Sequence, residues 1–210
     1  MTTYIPIDKK IQVTVEVENI GGTDITGYFW FKAYYGNLTG PTGNPLADDD
    51  LWASQADASD SYGDSTETTL SPGDKKTMVG SNPVKVADYY SEGDVIDVGI
   101  VVGIASSSDM VGKEGHADSL KKDDAIAIGA LEIKSVNFSS YENPSTLDIK
   151  VKNPLPTSVT ATINIYVDGD LTHQVSETIS ASSEETVSVD VANLNLSKGE
   201  HFVYCELEAP

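Results

Sequence analysis

Two stretches of the chain alternate strictly between branched apolar and polar residues, and this period of two constrains the fold more than any other feature. In IQVTVEVE (11–18), Ile11, Val13, Val15 and Val17 share one face while Gln12, Thr14, Glu16 and Glu18 share the other; LDIKVK (147–152) repeats the pattern. Side chains change face at every residue of a strand but not of a helix, so each run reads as a half-buried strand. Composition agrees, with Val and Ile numbering 35 against 12 Leu. Branched residues are stiff in helices and suit a pleated surface, so an all-β protein is predicted.

Turn chemistry follows each run in the same order. Asn19-Ile20-Gly21-Gly22 leads into YFWFKAYY (28–35), and Asn153-Pro154 leads into ATINIYV (161–167), which ends at the hairpin signal Asp168-Gly169. Leu70 to Thr77 matches Ile179 to Thr186 at equal spacing, and Gly93-Asp94 and Gly199-Glu200 introduce VIDVGIVV and HFVYCEL. An internal duplication explains these parallels and implies two β-sandwich modules, residues 1–129 and 130–210. The segments VEVENIGG (15–22) with LSPGDKKT (70–77), and IKVKNPLPTSVTATINIYVDG (149–169) with SKGEH (197–201), resemble the CARDB-like, immunoglobulin-like modules of prokaryotic and viral surface proteins. The resemblance implies two tandem immunoglobulin-like β-sandwich domains and a non-catalytic spacer, adhesion or assembly role.

Charge removes several function classes. With no Arg, 13 Lys and 33 acidic residues, the chain carries −20 and would repel a phosphate backbone, so no nucleic-acid partner is expected. The longest nearly apolar run, Val98 to Ala105, is too short to span a bilayer, so no membrane insertion is expected. The N-terminus from Met1 to Asp8 has no basic segment followed by an apolar one and does not read as a secretory signal. Cys205 is the only cysteine, which excludes an intrachain disulfide framework; alternation along its strand turns it inward as an inert thiol.

Two departures from the duplicated plan hold the candidate sites. The first is an insertion, 36–69, carrying seven acids and no Lys, read as a surface loop that bears on partner contact and not on the core. Asp48, Asp49, Asp50, Asp57, Asp60 and Asp64 in it are candidate Ca²⁺ ligands, although Tyr62 stands where an EF-hand register needs Gly; a solvated acidic loop is the alternative. Beside the insertion, Tyr28, Trp30 and Tyr34 share a strand face opposite Phe29, Phe31, Ala33 and Tyr35. That row either contacts a partner or a sugar, or lies beneath the insertion.

The second departure is the closing strand. Module one has AIAIG (125–129) after a polar loop, 106–123, whereas module two ends at Pro210, three residues after Leu207. The edge of HFVYCELE, with Phe202 and Tyr204, is therefore a candidate for strand addition, with TTYIPI (Tyr4, Ile5, Ile7) as a donor; a bare edge guarded by Glu206, Glu208 and Pro210 is the alternative.

No catalytic constellation stands out. His116, His173 and His201 lack metal-ligand spacing, and Ser119-Leu120-Lys121-Lys122 matches S-x-x-K without its partner motifs. No enzyme activity and no cofactor beyond that Ca²⁺ is expected. Surface-type modules on a chain without a signal point to a virion surface protein, a capsid decoration or turret contacting other structural proteins or copies of itself. The alternative is a cell-surface adhesin or carbohydrate-binding fragment, extracellular, with a glycan partner.

Overall fold

The computed structural model describes residues 2–140, 142–197 and 199–208; Met1, Lys198 and Pro210, which enter the sequence reading, lie outside the described residues. The chain divides into two compact units. Residues up to 91 and 95–128 form the first; residues 92–94 and those from 129 on form the second.

Unit one contains β1 (Thr3–Ile5), β2 (Lys10–Ile11), β3 (Thr14–Glu18), β4 (Ile25–Gly36), α1 (Pro45–Gln55), β5 (Ala58–Gly63), β6 (Thr68–Leu70), β7 (Lys75–Val79), β8 (Val84–Lys85), β9 (Val95–Ala105) and β10 (His116–Ile128). Its main sheet runs β1-β10-β9-β4-β5, with β6 on the start of β4. Two ribbons, β3-β7 and β2-β8, form the second layer. The core between the layers takes Phe29, Phe31, Ala33 and Tyr35 from β4, Met78 from β7 and Ile126 and Ile128 from β10.

Unit two contains β11 (Glu132–Phe138), β12 (Thr146–Asn153), β13 (Val159–Val167), β14 (Asp170–Ile179), β15 (Ser183–Asp190) and β16 (Val203–Glu208). Sheets β11-β12-β15 and β14-β13-β16 face each other across Leu147, Ile149, Val151, Ile163, Ile165, Ile179, Val187 and Val189. Sequential strands divided between two antiparallel sheets in this way are the immunoglobulin-type sandwich, so the all-β prediction holds.

The duplication is visible atom by atom. Asn19 Nδ2 donates to Thr23 O and Leu70 O, and its Oδ1 accepts from Gly21 N. Asn153 Nδ2 donates to Thr157 O, Ile179 O and Ser180 O, and its Oδ1 accepts from Leu155 N. Both residues are buried where a strand leaves the sheet, and each ties the carbonyls of its own turn to those at the end of a neighbouring strand. Pairing then equates β3 with β12, β4 with β13, β5 with β14, β7 with β15 and β9 with β16. Beyond these shared strands each unit adds its own, β1 and the β2-β8 ribbon among them in unit one. Unit one has β10 beside β9; unit two has β11 beside β12.

Two expectations for unit one are corrected. The insertion is core structure, not a separate surface loop: it contains α1, β5 and part of β6, and Trp52 of α1 is fully buried with Trp30, Tyr34, Leu38, Val101 and Ala105. Gly99 and Gly103 of β9 permit this, because a Cβ at either would come within 2.7 Å and 2.3 Å of the Trp52 and Trp30 rings. Residues 116–123, expected as loop, belong to β10, since the insertion supplies partners for their polar side chains.

Candidate functional site

The acidic residues of the insertion do not converge. Asp48 Oδ1 accepts from Thr42 N at 2.6 Å and its Oδ2 from Ser119 Oγ at 2.6 Å. Asp49 accepts from Tyr34 Oη (2.5 Å), Lys32 Nζ (2.7 Å) and pairs with His116 Nε2 (3.0 Å). Asp60 Oδ1 takes Ser61 N and Asn82 N, and Asp64 takes Phe29 N, Tyr62 Oη and Lys76 Nζ. Asp50 and Asp57 are exposed. Among the described residues no set of three or more His, Cys, Asp or Glu side chains comes together to hold a metal. The expected Ca²⁺ set is thus dispersed, because four of its six members are spent as internal acceptors.

These carboxylates dock the helix. Burial pushes the Asp48 and Asp49 carboxyls up, but hydrogen bonds outweigh it, from Ser119 and Thr42 in one case and from Lys32, Tyr34 and His116 in the other, so both lie below the ordinary carboxylate range. Burial, and then the bond to Asp49, raises the Tyr34 hydroxyl far above its usual value. Lys32 was the missed signal: a cation on the Trp30 and Tyr34 face needs a carboxylate once that face is covered.

The aromatic row is accordingly not a contact surface. Trp30 is fully buried, edge-on to His116 and donating Nε1–H to Glu114 O; Tyr34 is buried, and Tyr28 is half-buried against the same cluster. The N-terminal donor is also committed elsewhere. Thr3, Tyr4 and Ile5 pair in parallel with Ile126, Ala127 and Ile128, and Ile5 and Ile7 pack on the core of unit one.

What remains open is the edge of β16. Its ladder with β13 pairs Phe202 with Asp168, Tyr204 with Tyr166 and Glu206 with Asn164. By antiparallel alternation Val203, Cys205 and Leu207 turn their N–H and C=O groups to the opposite side, where no strand pairs among the described residues. Their side chains face the core yet stay half-buried, as do Leu131, Ile133 and Val136. In unit one the equivalent place is filled by β10, whose residues 125–128 are buried. Burial pushes the Cys205 thiol up to about 11, which keeps it protonated and unreactive at neutral pH. On the outer face Tyr166 and Tyr204 stack at 4.7 Å, with Phe202, 69% exposed, against Tyr204.

Fold and edges together define a two-module β-sandwich protein with incomplete sheets. No family model matches the chain, and no curated protein is significantly similar to it. Among solved structures the chain is similar to the calcium-binding domain CBD12 of CALX1.1, at 12% identity and a TM-score of 0.32, over 98% of this chain and 77% of that one. It is also similar to the YadV chaperone (11%, TM-score 0.32, 98% and 89%) and to the class 5 fimbriae chaperone CfaA (10%, TM-score 0.28, 100% and 96%). Likenesses this distant carry nothing toward the chain's function.

Proposed function

We propose that this chain is a non-enzymatic structural protein, displayed on the surface of an assembly and joined to a neighbour through the open edge of β16. The observation that carries the reading is the outer edge of β16: among the described residues no strand pairs with it, and its inward apolar row is only half-buried, in the place that β10 fills in unit one. A neighbouring chain, of another structural protein or a second copy, would supply the strand by main-chain hydrogen bonding and bury that row. The assembly we favour is a virion, with the protein as a capsid decoration or turret built from CARDB-like modules. The charge of −20 suits an exposed position and opposes contact with packaged nucleic acid.

The Tyr166, Tyr204 and Phe202 ladder favours a second reading, a cell-surface adhesin or carbohydrate-binding fragment, because exposed rings offer apolar faces to sugars.

Hydrogen exchange on free and assembled protein tests the first reading. Amides of Val203, Cys205 and Leu207 are expected to exchange quickly in the free chain and slowly after assembly, and Cys205→Pro, which deletes an edge-facing N–H, is expected to block assembly while the β13 ladder stays protected. Unchanged exchange at those three amides after assembly would sink it. Antibody labelling of intact particles against intact cells separates virion from cell surface, and binding to immobilised glycans that is lost in Tyr204→Ala would favour the adhesin.

A further inference from the structure

Unit one has an open edge of its own, distinct from β16. A groove of about 540 Å³ separates β3 from the β9-β10 pair and is lined by Val15, Val17, Ile100, Val102, Ile104 and Leu120 among others. It exists because the second layer is a two-stranded ribbon at this point, whereas the main sheet beneath continues from β9 to β10. Ile100, Val102 and Ile104 are consequently only half-buried, and Leu120 is 67% exposed. Contiguous apolar surface of this kind marks an interaction site more often than chance exposure does.

The wall of the groove is a strand edge. β3 pairs with β7, and the bonds from Gly80 N to Val13 O and from Asn19 N to Asp74 O set the phase of that ladder. Val13, Val15, Val17 and Asn19 therefore bond toward β7, and Thr14, Glu16 and Glu18 turn their N–H and C=O groups to the groove, where no strand pairs among the described residues. A lipid tail or other purely apolar ligand would cover those groups without satisfying them, and a buried N–H or C=O left unpaired opposes binding. An extended peptide satisfies them and fills the apolar floor at once.

Unit two carries the template. Beside β12, the equivalent of β3, lies β11, whose Ile133 and Val136 cover the equivalent flank of the core. Before β3 in unit one the described chain offers β1 and the two residues of β2, and these pair with β10 and β8 instead. The rim sets the charge of the occupant: Glu16, Glu18 and Asp118 line the groove, and Lys75 is the cation that bridges Glu16 and Glu18. A second copy presenting its own open edge at β16 would bring Glu206 and Glu208 against Glu16 and Glu18, which like-charge repulsion opposes.

We infer that this groove is a binding site for an extended strand of a partner protein, alternating apolar with polar residues and bearing Lys, which pairs with the free edge of β3. The inference stands on residues other than those of the β16 edge and can fail without it.

The test uses the full-length chain and a capped synthetic peptide of its own residues 130–139, the β11 sequence with its alternating pattern and Lys134. Calorimetry is expected to show saturable binding that a scrambled peptide lacks, with amide exchange slowed at Glu16 and Glu18. Leu120→Ser, which alters an exposed side chain and should fold normally, is expected to weaken binding about fivefold. Absence of saturation up to about 1 mM peptide overturns the inference. So does slowed exchange at Val203, Cys205 and Leu207 in place of Glu16 and Glu18, which would put the peptide on β16. Displacement of the peptide by lauric acid with no protection of Glu16 and Glu18 at any stage also overturns it, and makes the groove a lipid pocket.

Discussion

Asn19 and Asn153 are the residues through which the two halves of the chain are most plainly one design. Both were legible as turn markers, since Asn next to Gly or Pro after an alternating run announces a turn. Their burial and their bonds to carbonyls 26 and 51 residues away were not. Truncating Asn153 to Ala removes the side-chain partner of the Thr157 and Ile179 carbonyls and of the Leu155 N–H, while Ser180 O keeps its bond from Ser183 Oγ. A loss of about 2–4 kcal/mol is expected in urea denaturation, with amides of β12 and β15 deprotected first. Asp49 carries the pH dependence at this scale. Its folded carboxyl lies below the ordinary value near 3.9, so its stabilisation is complete above that value and is lost as pH falls through the lower folded one. Helix α1 is therefore expected to undock as pH drops below about 4, read as a change in Trp30 and Trp52 fluorescence before the β-sheet circular dichroism signal is lost.

At the scale of elements, α1 decides how unit one is built. Its start was readable in retrospect: Asn44 caps it, accepting from Leu46 N, and Pro45 occupies the first turn. Its docked face was not, because that face is Asp48, Asp49 and Trp52, and acids on a buried face cancel the apolar periodicity by which an amphipathic helix is recognised. Trp52→Ala removes the ring that fills the space above Gly99 and is expected to cost about 3–5 kcal/mol in urea denaturation of the full chain. Excising residues 37–57 for a short Gly linker would expose Trp30, Tyr34 and Val101 together, and is expected to yield aggregating protein or a loss of unit-one protection. A deletion that left the melting temperature within a few degrees would restore the reading of the insertion as a separate surface loop.

For the whole molecule the dominant quantity is charge. Exposed ion pairs such as Lys75 with Glu16 and Lys85 with Asp88 are worth little individually, while 33 carboxylates against 13 Lys repel one another over the entire surface. Salt weakens both, and the repulsion outweighs the attraction. The melting temperature is expected to rise by several degrees between about 10 and 150 mM NaCl, with a fall showing that ion pairs dominate instead. The alternating strands, their turns and the duplicated order were legible in the sequence, because alternation, Asn turns and the Asp168-Gly169 hairpin, with Asp168 at φ 55° and Gly169 at φ 96°, act over a few residues, whereas β5 and the first half of β10 were not. The open edges of β3 and β16, the covering of Trp30 and the fate of the acidic residues were decided only in three dimensions. Asp48 meets Ser119 across 71 residues and Asp49 meets His116 across 67. A carboxylate can be buried only where donors from such distant segments reach it, and an edge is open only where no other part of the fold arrives to pair with it.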